Sequence, residues 1–123
     1  KIIKQAQDLV SSKIKKEIGK IRAVVSGIGG QGNNYFGFSF FIGSEKSQWG
    51  IQDFWGAAHV EIPEKADWTE EDRAMQMCKT NMRVSELLKK AQKNHIHELV
   101  NMPIEATFQN EKLIGWKLLE EVL

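Results

Sequence analysis

The stretch YFGFSFFIGSEKSQWGIQDFWG, residues 35–56, decides the fold because it reads as two strands joined by a short turn. Every second residue from Phe36 to Ile42 is large and apolar, which is the period of a β-strand. SEKS has the composition of a turn, and QWGIQDFWG, residues 48–56, is the returning strand. So short a connection between two strands predicts antiparallel pairing.

A further strand precedes this hairpin and a helix follows it. Ile21, Ala23 and Val25 alternate with Arg22, Val24 and Ser26, and the glycine-rich connection GIGGQGNN comes next. Downstream, DWTEED has the features of a helix start, with Thr69 as the cap and acidic residues at the positive end. The helix is expected to run to about Lys93, with an apolar face of Ala74, Met77, Cys78, Val84, Leu87, Leu88 and Ala91. Asn81 interrupts that face and could cap a second helix.

The end of the chain gives the clearest strand pattern. Ile104, Ala106 and Phe108 alternate with polar residues, QNEK turns the chain, and Leu113 to Leu118 returns. We therefore predict an α+β fold over a single domain, residues 1–123. Three strands, a helix and a two-strand hairpin form an antiparallel sheet of about five strands, with one long or broken helix packed on one face. Residues 1–12 could add a short amphipathic helix.

Composition narrows the class of protein. The chain has 123 residues, 41% of them hydrophobic, with 17 basic and 16 acidic groups and a net charge of +1. This balance argues against a general nucleic-acid binder, because such proteins usually show a clear basic excess. A local basic cluster nevertheless exists, formed by Lys13, Lys15, Lys16, Lys20 and Arg22. A single cysteine, Cys78, fits a reducing cytosol, and no apolar run is long enough for a membrane helix.

No catalytic or metal-binding constellation can be assembled from the sequence. His95 and His97 are two residues apart, which predicts different sides of a helix end, and further zinc ligands are missing around them. The glycine-rich stretch lacks a phosphate-loop motif and leads into a strand, so no helix N-terminus follows it. No serine lies in a GxSxG motif. These observations predict a binding protein that is not an enzyme and that has no cofactor and no metal.

The aromatic residues of the third strand are the candidates for binding. Alternation places Trp49, Asp53 and Trp55 on one face and Phe54 on the other, so one aromatic face could meet a ligand. Aromatic rings stack on nucleobases, and arginine or lysine can then bind a phosphate. The alternative is that these rings pack under the helix or in an interface between subunits. On the polar face of the helix, Asn81 and Arg83 lie beside the possible break.

The order of features resembles a family of small phage and prophage proteins. The segments that carry the resemblance are SQWGIQDFWG, then the helix AMQMCKTNMRVSELLKKAQ, then HELVNMPIEATF and EKLIGWKLL, and together they lie within residues 20–120. Within that group the layout is similar to the type-one Thoeris anti-defence proteins, which sequester a cyclic ADP-ribose signal without cleaving it. The resemblance implies a homo-oligomer in the cytoplasm of an infected bacterial host, with a cyclic nucleotide as its small-molecule partner.

On this hypothesis the chain is a phage-encoded immune evasion protein, a sponge for a cyclic nucleotide. Trp49, Phe54 or Trp55 would stack on the base, and Arg83, Arg73 or Arg22 would meet the phosphates, with Asn81 nearby. Two alternatives remain open at this point. One is a protein-binding phage inhibitor of a host defence system, of the anti-CRISPR or anti-restriction type. The other is a phage accessory protein that binds single-stranded nucleic acid.

Overall fold

Five strands and one long helix follow one another in the order that the hydrophobic pattern predicts. The computed structural model describes residues 13–46, 48–62, 64–65 and 67–119. The strands are β1 (Ile14–Gly29), β2 (Tyr35–Gly43), β3 (Gly50–His59), β4 (Pro103–Gln109) and β5 (Lys112–Leu118), and the helix α1 (Glu70–Ala91) follows β3. The predicted α+β class is thus confirmed. The helix expected over residues 1–12 lies outside the described residues.

All strand pairs are antiparallel, and the order across the sheet is β3-β2-β1-β4-β5. The central strand β1 is long because its two halves pair with different neighbours. Ile14 to Lys20 pairs with β4, and Lys20 to Gly29 pairs with β2. A register shift between Ile21 and Ala23 marks a bulge, which bends a strand and increases its twist.

The first half of β1 is the main element that the apolar alternation does not reveal. The strand pattern begins at Ile21, whereas the structure begins the strand at Ile14. Residues 14–18 are mostly exposed, so their sequence carries few core positions. Backbone pairing to β4 holds this half in the sheet, and a non-local partner of this kind leaves little trace in local sequence.

The core lies on one face of the sheet. It is built from Ile21 of β1, Phe40 and Ile42 of β2, Trp55 of β3 and Ile104 of β4, all at most 6% exposed. The helix adds Val84 and Ala91, and the short turn after it adds Leu99. Because α1 packs mainly against β3, it covers only one side of this face.

The helix is continuous through Asn81, so of the two alternatives, one long helix or a broken one, the long helix is present. Thr69 is the N-cap: its hydroxyl accepts a hydrogen bond from the Asp72 backbone N–H, and the Asp72 carboxylate accepts one from the Thr69 N–H. The helix ends at Ala91, where Gln92 adopts a left-handed conformation, slightly before the expected end at Lys93. Of the predicted apolar face, Val84 and Ala91 are buried and Leu87 and Leu88 half-buried, whereas Ala74 and Cys78 are exposed.

Candidate functional site

The two edge strands of the sheet are joined across its inner face by one carboxylate. Asp53 of β3 accepts hydrogen bonds through Oδ2 from the indole Nε1 of Trp55 at 2.9 Å and of Trp116 at 2.7 Å. Since β3 and β5 lie at opposite ends of the strand order, the sheet must curl strongly to bring Trp116 to Asp53. The inner face is therefore concave, and its two rims meet at this acid.

Trp55 is enclosed by this cluster. Its ring lies 4.4 Å from Phe40 and stacks on Trp116 at 5.3 Å, measured between centroids, and the residue is only 6% exposed. The guanidinium of Arg83 lies 3.7 Å from the ring centroid in a cation–π contact. The neighbours of Trp55 leave no free ring face, so in this structure its aromatic surface serves packing.

An open cavity of about 610 Å³ lies where β1 begins and β4 ends. The floor contains Trp49 and Phe108, whose rings meet edge to face at 5.2 Å. The charged and polar residues around it are Lys13, Lys15, Glu17, Asn110 and Glu111. Its volume falls within the range of small-molecule sites, and it combines an aromatic floor with a few polar groups, as such sites usually do.

The hairpin turn and a glycine hold Trp49 in place. Ser44, itself 7% exposed, accepts a hydrogen bond from the Trp49 backbone N–H at 3.2 Å and donates its own N–H to the Trp49 carbonyl at 3.0 Å. A Cβ at Gly19 would lie 2.9 Å from Trp49 Cζ2, so a side chain there would push the ring away. The indole Nε1 is buried and has no hydrogen-bond partner among the described residues. A buried donor without an acceptor is uncommon in folded proteins.

Strand alternation divides the basic cluster that the sequence shows. Lys13, Lys15 and Glu17 share the face of the buried Ile21 and line the cavity, whereas Lys16 lies on the opposite face, 3.9 Å from Glu105. The sequence singled out Lys13 and Lys15 only as part of a charge run. The sequence assigned no binding role to Phe108, Asn110 or Glu111. The start of β1 at residue 14, which the sequence did not indicate, determines which lysines lie on the inner face of the sheet.

Of the predicted site residues, Trp55 and Arg83 are in direct contact. Trp49 lies farther along the same inner face, in the cavity. Phe54 lies on the outer face, where its ring covers Gly29 and Gly37; a Cβ on either would come within about 3 Å of the ring. The predicted set therefore does not form one pocket.

The remaining predicted residues lie in three separate places. Arg73 connects the start of α1 to the end of β3. Its Nε donates to the His59 carbonyl at 2.6 Å, and its Nη2 donates to the Val60 carbonyl at 3.0 Å. Asn81 is exposed on the helix surface. Arg22, beside the bulge in β1, donates a hydrogen bond to the Ser44 carbonyl. In these contacts Arg73 and Arg22 hold backbone in place.

The histidines form two stacked arrangements. The expectation that His95 and His97 lie on different sides of the helix end is wrong. Their rings stack in parallel, with centroids 5.7 Å apart, at the turn Ile96–Leu99. Beside them, the His95 and Asn94 backbone N–H groups donate to Glu98 Oε1 and lower the pKa of that carboxyl. His59 is stacked on Trp68 at 4.5 Å. Within the described ranges, no three His, Cys, Asp or Glu residues are grouped as metal ligands would be.

In the part of the chain that the structure describes, no helix is both long and apolar enough to cross a bilayer. Comparison of the chain with protein-family models, with curated proteins and with solved structures gave no match in any of the three.

Proposed function

We propose that this chain is a phage-encoded immune evasion protein that binds a cyclic nucleotide signal, of the cyclic ADP-ribose type, and holds it without cleaving it. The observation that carries the proposal is the open cavity of about 610 Å³, in which Trp49 and Phe108 lie beside Lys13 and Lys15. The type of nucleotide comes from the resemblance of the chain to the type-one Thoeris anti-defence proteins. The proposed site therefore centres on Trp49 and not on Trp55.

The aromatic floor suits a nucleobase. Trp49 and Phe108 meet nearly perpendicular, at 80°, so they form a corner that offers one ring face and one ring edge. A base that stacks on an aromatic face gains about 1–3 kcal/mol.

The charges around the floor suit the rest of a nucleotide. Lys13 and Lys15 are both exposed and carry flexible ammonium groups that can bind phosphate oxygens. Glu17 and Glu111 are carboxylates on the same rim and can accept hydrogen bonds from ribose hydroxyls or an exocyclic amine. This mixture favours a ligand with both anionic and donor groups over a simple anion.

A panel of cyclic nucleotides tests the proposal directly. The protein is incubated with cyclic ADP-ribose, its linkage isomers and cyclic dinucleotides and trinucleotides, and unfolding is followed by a thermal melt. A ligand at 100 times its Kd stabilises the folded state by about 2.7 kcal/mol, which gives a readily measured rise in Tm. The protein is then heat-denatured, and the released ligand is identified by mass spectrometry. We expect one member of the panel to raise Tm and to be recovered intact.

Matched charge reversals locate the site. The double variant Lys13→Glu with Lys15→Glu should abolish the ligand-induced rise in Tm, whereas Lys65→Glu should keep it. Lys65 is exposed in the loop after β3, at the end of that strand away from Trp49. No rise in Tm with any nucleotide would overturn the proposal. Recovery of a converted nucleotide would show an enzyme instead, and equal loss in both variants would place the site elsewhere.

A further inference from the structure

The outward surface of α1 carries an apolar stripe that the described residues leave uncovered. Met75 and Met82 are 56% and 58% exposed, and Cys78 between them is exposed as well, with its Sγ 3.9 Å from the Met82 sulfur. Their spacing of three and four residues places them on one line along the helix. Exposed apolar side chains that form a continuous stripe usually mark a surface for a partner.

This stripe lies away from the face that packs on the sheet. Val84 is buried in the core and follows Met82 by two residues, a rotation of about 200° around the helix. Ala91, seven residues beyond Val84, is buried on the same side. The helix therefore has two apolar faces, and the intramolecular core uses only one of them.

The order of residues along the stripe is self-complementary about the level of Thr80. Met82 and Cys78 are each two positions from that level, Ser85 and Met75 each five, and Lys89 and Glu71 each nine. When two copies of α1 lie antiparallel with a two-fold axis at this level, Cys78 meets Met82 of the other copy. Glu71 then meets Lys89 of the other copy at both ends, because a two-fold axis repeats every contact.

The charges along the whole helix favour the same arrangement. Its first turn carries Glu70, Glu71 and Asp72, and its last turn carries Lys89 and Lys90. Parallel pairing would place like charges together at each end, whereas antiparallel pairing places acids beside lysines and opposes the helix dipoles. We infer that the outward face of α1 docks a second copy of this chain as an antiparallel two-fold pair, with Met75, Cys78 and Met82 at its centre.

Charge reversal at the two ends tests both the partner and the register. The association of the full chain is measured by sedimentation velocity across a concentration series. Glu71→Lys alone, or Lys89→Glu alone, places like charges opposite each other at both ends and should weaken the dimer by about tenfold. The double variant Glu71→Lys with Lys89→Glu restores opposite charges and should restore the dimer. Lys46→Glu, in the exposed turn after β2, should leave association unchanged.

Cysteine crosslinking provides an independent measurement of the register. In the variant Met82→Cys, mild oxidation should give a disulfide-linked dimer through Cys78 of the other copy, and adding Cys78→Ser should remove most of that product. A wild-type chain that stays monomeric at every concentration would overturn the inference. So would a dimer that both single charge reversals leave intact, or one that the double reversal fails to restore, since another partner or another face would then cover the stripe.

Discussion

Asp53 shows how one side chain can define a tertiary fold. It lies among aromatic residues on β3, where sequence alternation places a carboxylate on the core face. Its partners are the indole N–H groups of Trp55, two residues away, and of Trp116, 63 residues away. Curling of the sheet removes both indole donors from water, and Asp53 is their acceptor. The role of Asp53 therefore becomes clear only in the folded sheet, where β3 and β5 come together.

Replacing Asp53 by alanine should therefore destabilise the fold. Two indole donors would lose their acceptor in a partly buried cluster, and each unsatisfied donor costs about 1–3 kcal/mol. We expect Asp53→Ala to lower the free energy of unfolding by about 2–4 kcal/mol in urea denaturation, with a shift in tryptophan fluorescence.

A double-mutant cycle identifies the cause of that loss. Trp116→Phe removes one donor and keeps an aromatic ring, so Asp53→Ala should cost less in the Trp116→Phe background than in the wild type. Equal costs in the two backgrounds would show that the bond across the sheet contributes nothing.

The helix is the element whose start the sequence predicts best. Capping depends on residues within one turn of each other, and the predicted cap Thr69 is confirmed; the structure adds its reciprocal hydrogen bond with Asp72. Its end and its exposed stripe are harder to predict. Cys78 belongs to the predicted apolar face as Val84 does, and only the position of β3 shows which apolar residues face the sheet.

Thr69→Ala should cost about 1 kcal/mol in the free energy of unfolding, since the hydroxyl caps an otherwise unpaired backbone N–H. Thr69→Ser keeps the hydroxyl and is the matched control, with no expected loss, because serine is at least as good an N-cap as threonine. Both values come from denaturant titration followed by circular dichroism. Equal losses in the two variants would mean that Thr69 contributes through its methyl group and not through the cap.

At the scale of the whole molecule, sequence predicts the elements better than it predicts their arrangement. The hairpin of residues 35–56 and the last two strands follow from local alternation, and both are present. The pairing of the early half of β1 with β4, and the curl that brings Trp116 to Asp53, depend on contacts between distant residues. The cavity depends on the same arrangement, which explains why Trp49 was a candidate while Phe108 and Asn110 were not.

The arrangement also separates the two proposed surfaces. The cavity is built from the start of β1, Trp49 and the turn between β4 and β5, whereas the stripe lies on the outward face of α1, and they share no residue. A physical argument for coupling needs an element whose two states both sites influence, and the described residues show no such element between these two surfaces. We therefore expect the nucleotide affinity of the wild-type chain to stay constant, within about twofold, at protein concentrations below and above the dimer Kd.

Variants at the two surfaces give the reciprocal measurement, because coupling between binding events must act equally in both directions. Glu71→Lys should weaken association and leave the ligand-induced rise in Tm unchanged. Lys13→Glu with Lys15→Glu should abolish that rise and leave sedimentation unchanged. An affinity that increases as the dimer forms would contradict this independence, and it would mean that the second copy completes the cavity or changes the curl of the sheet that forms it.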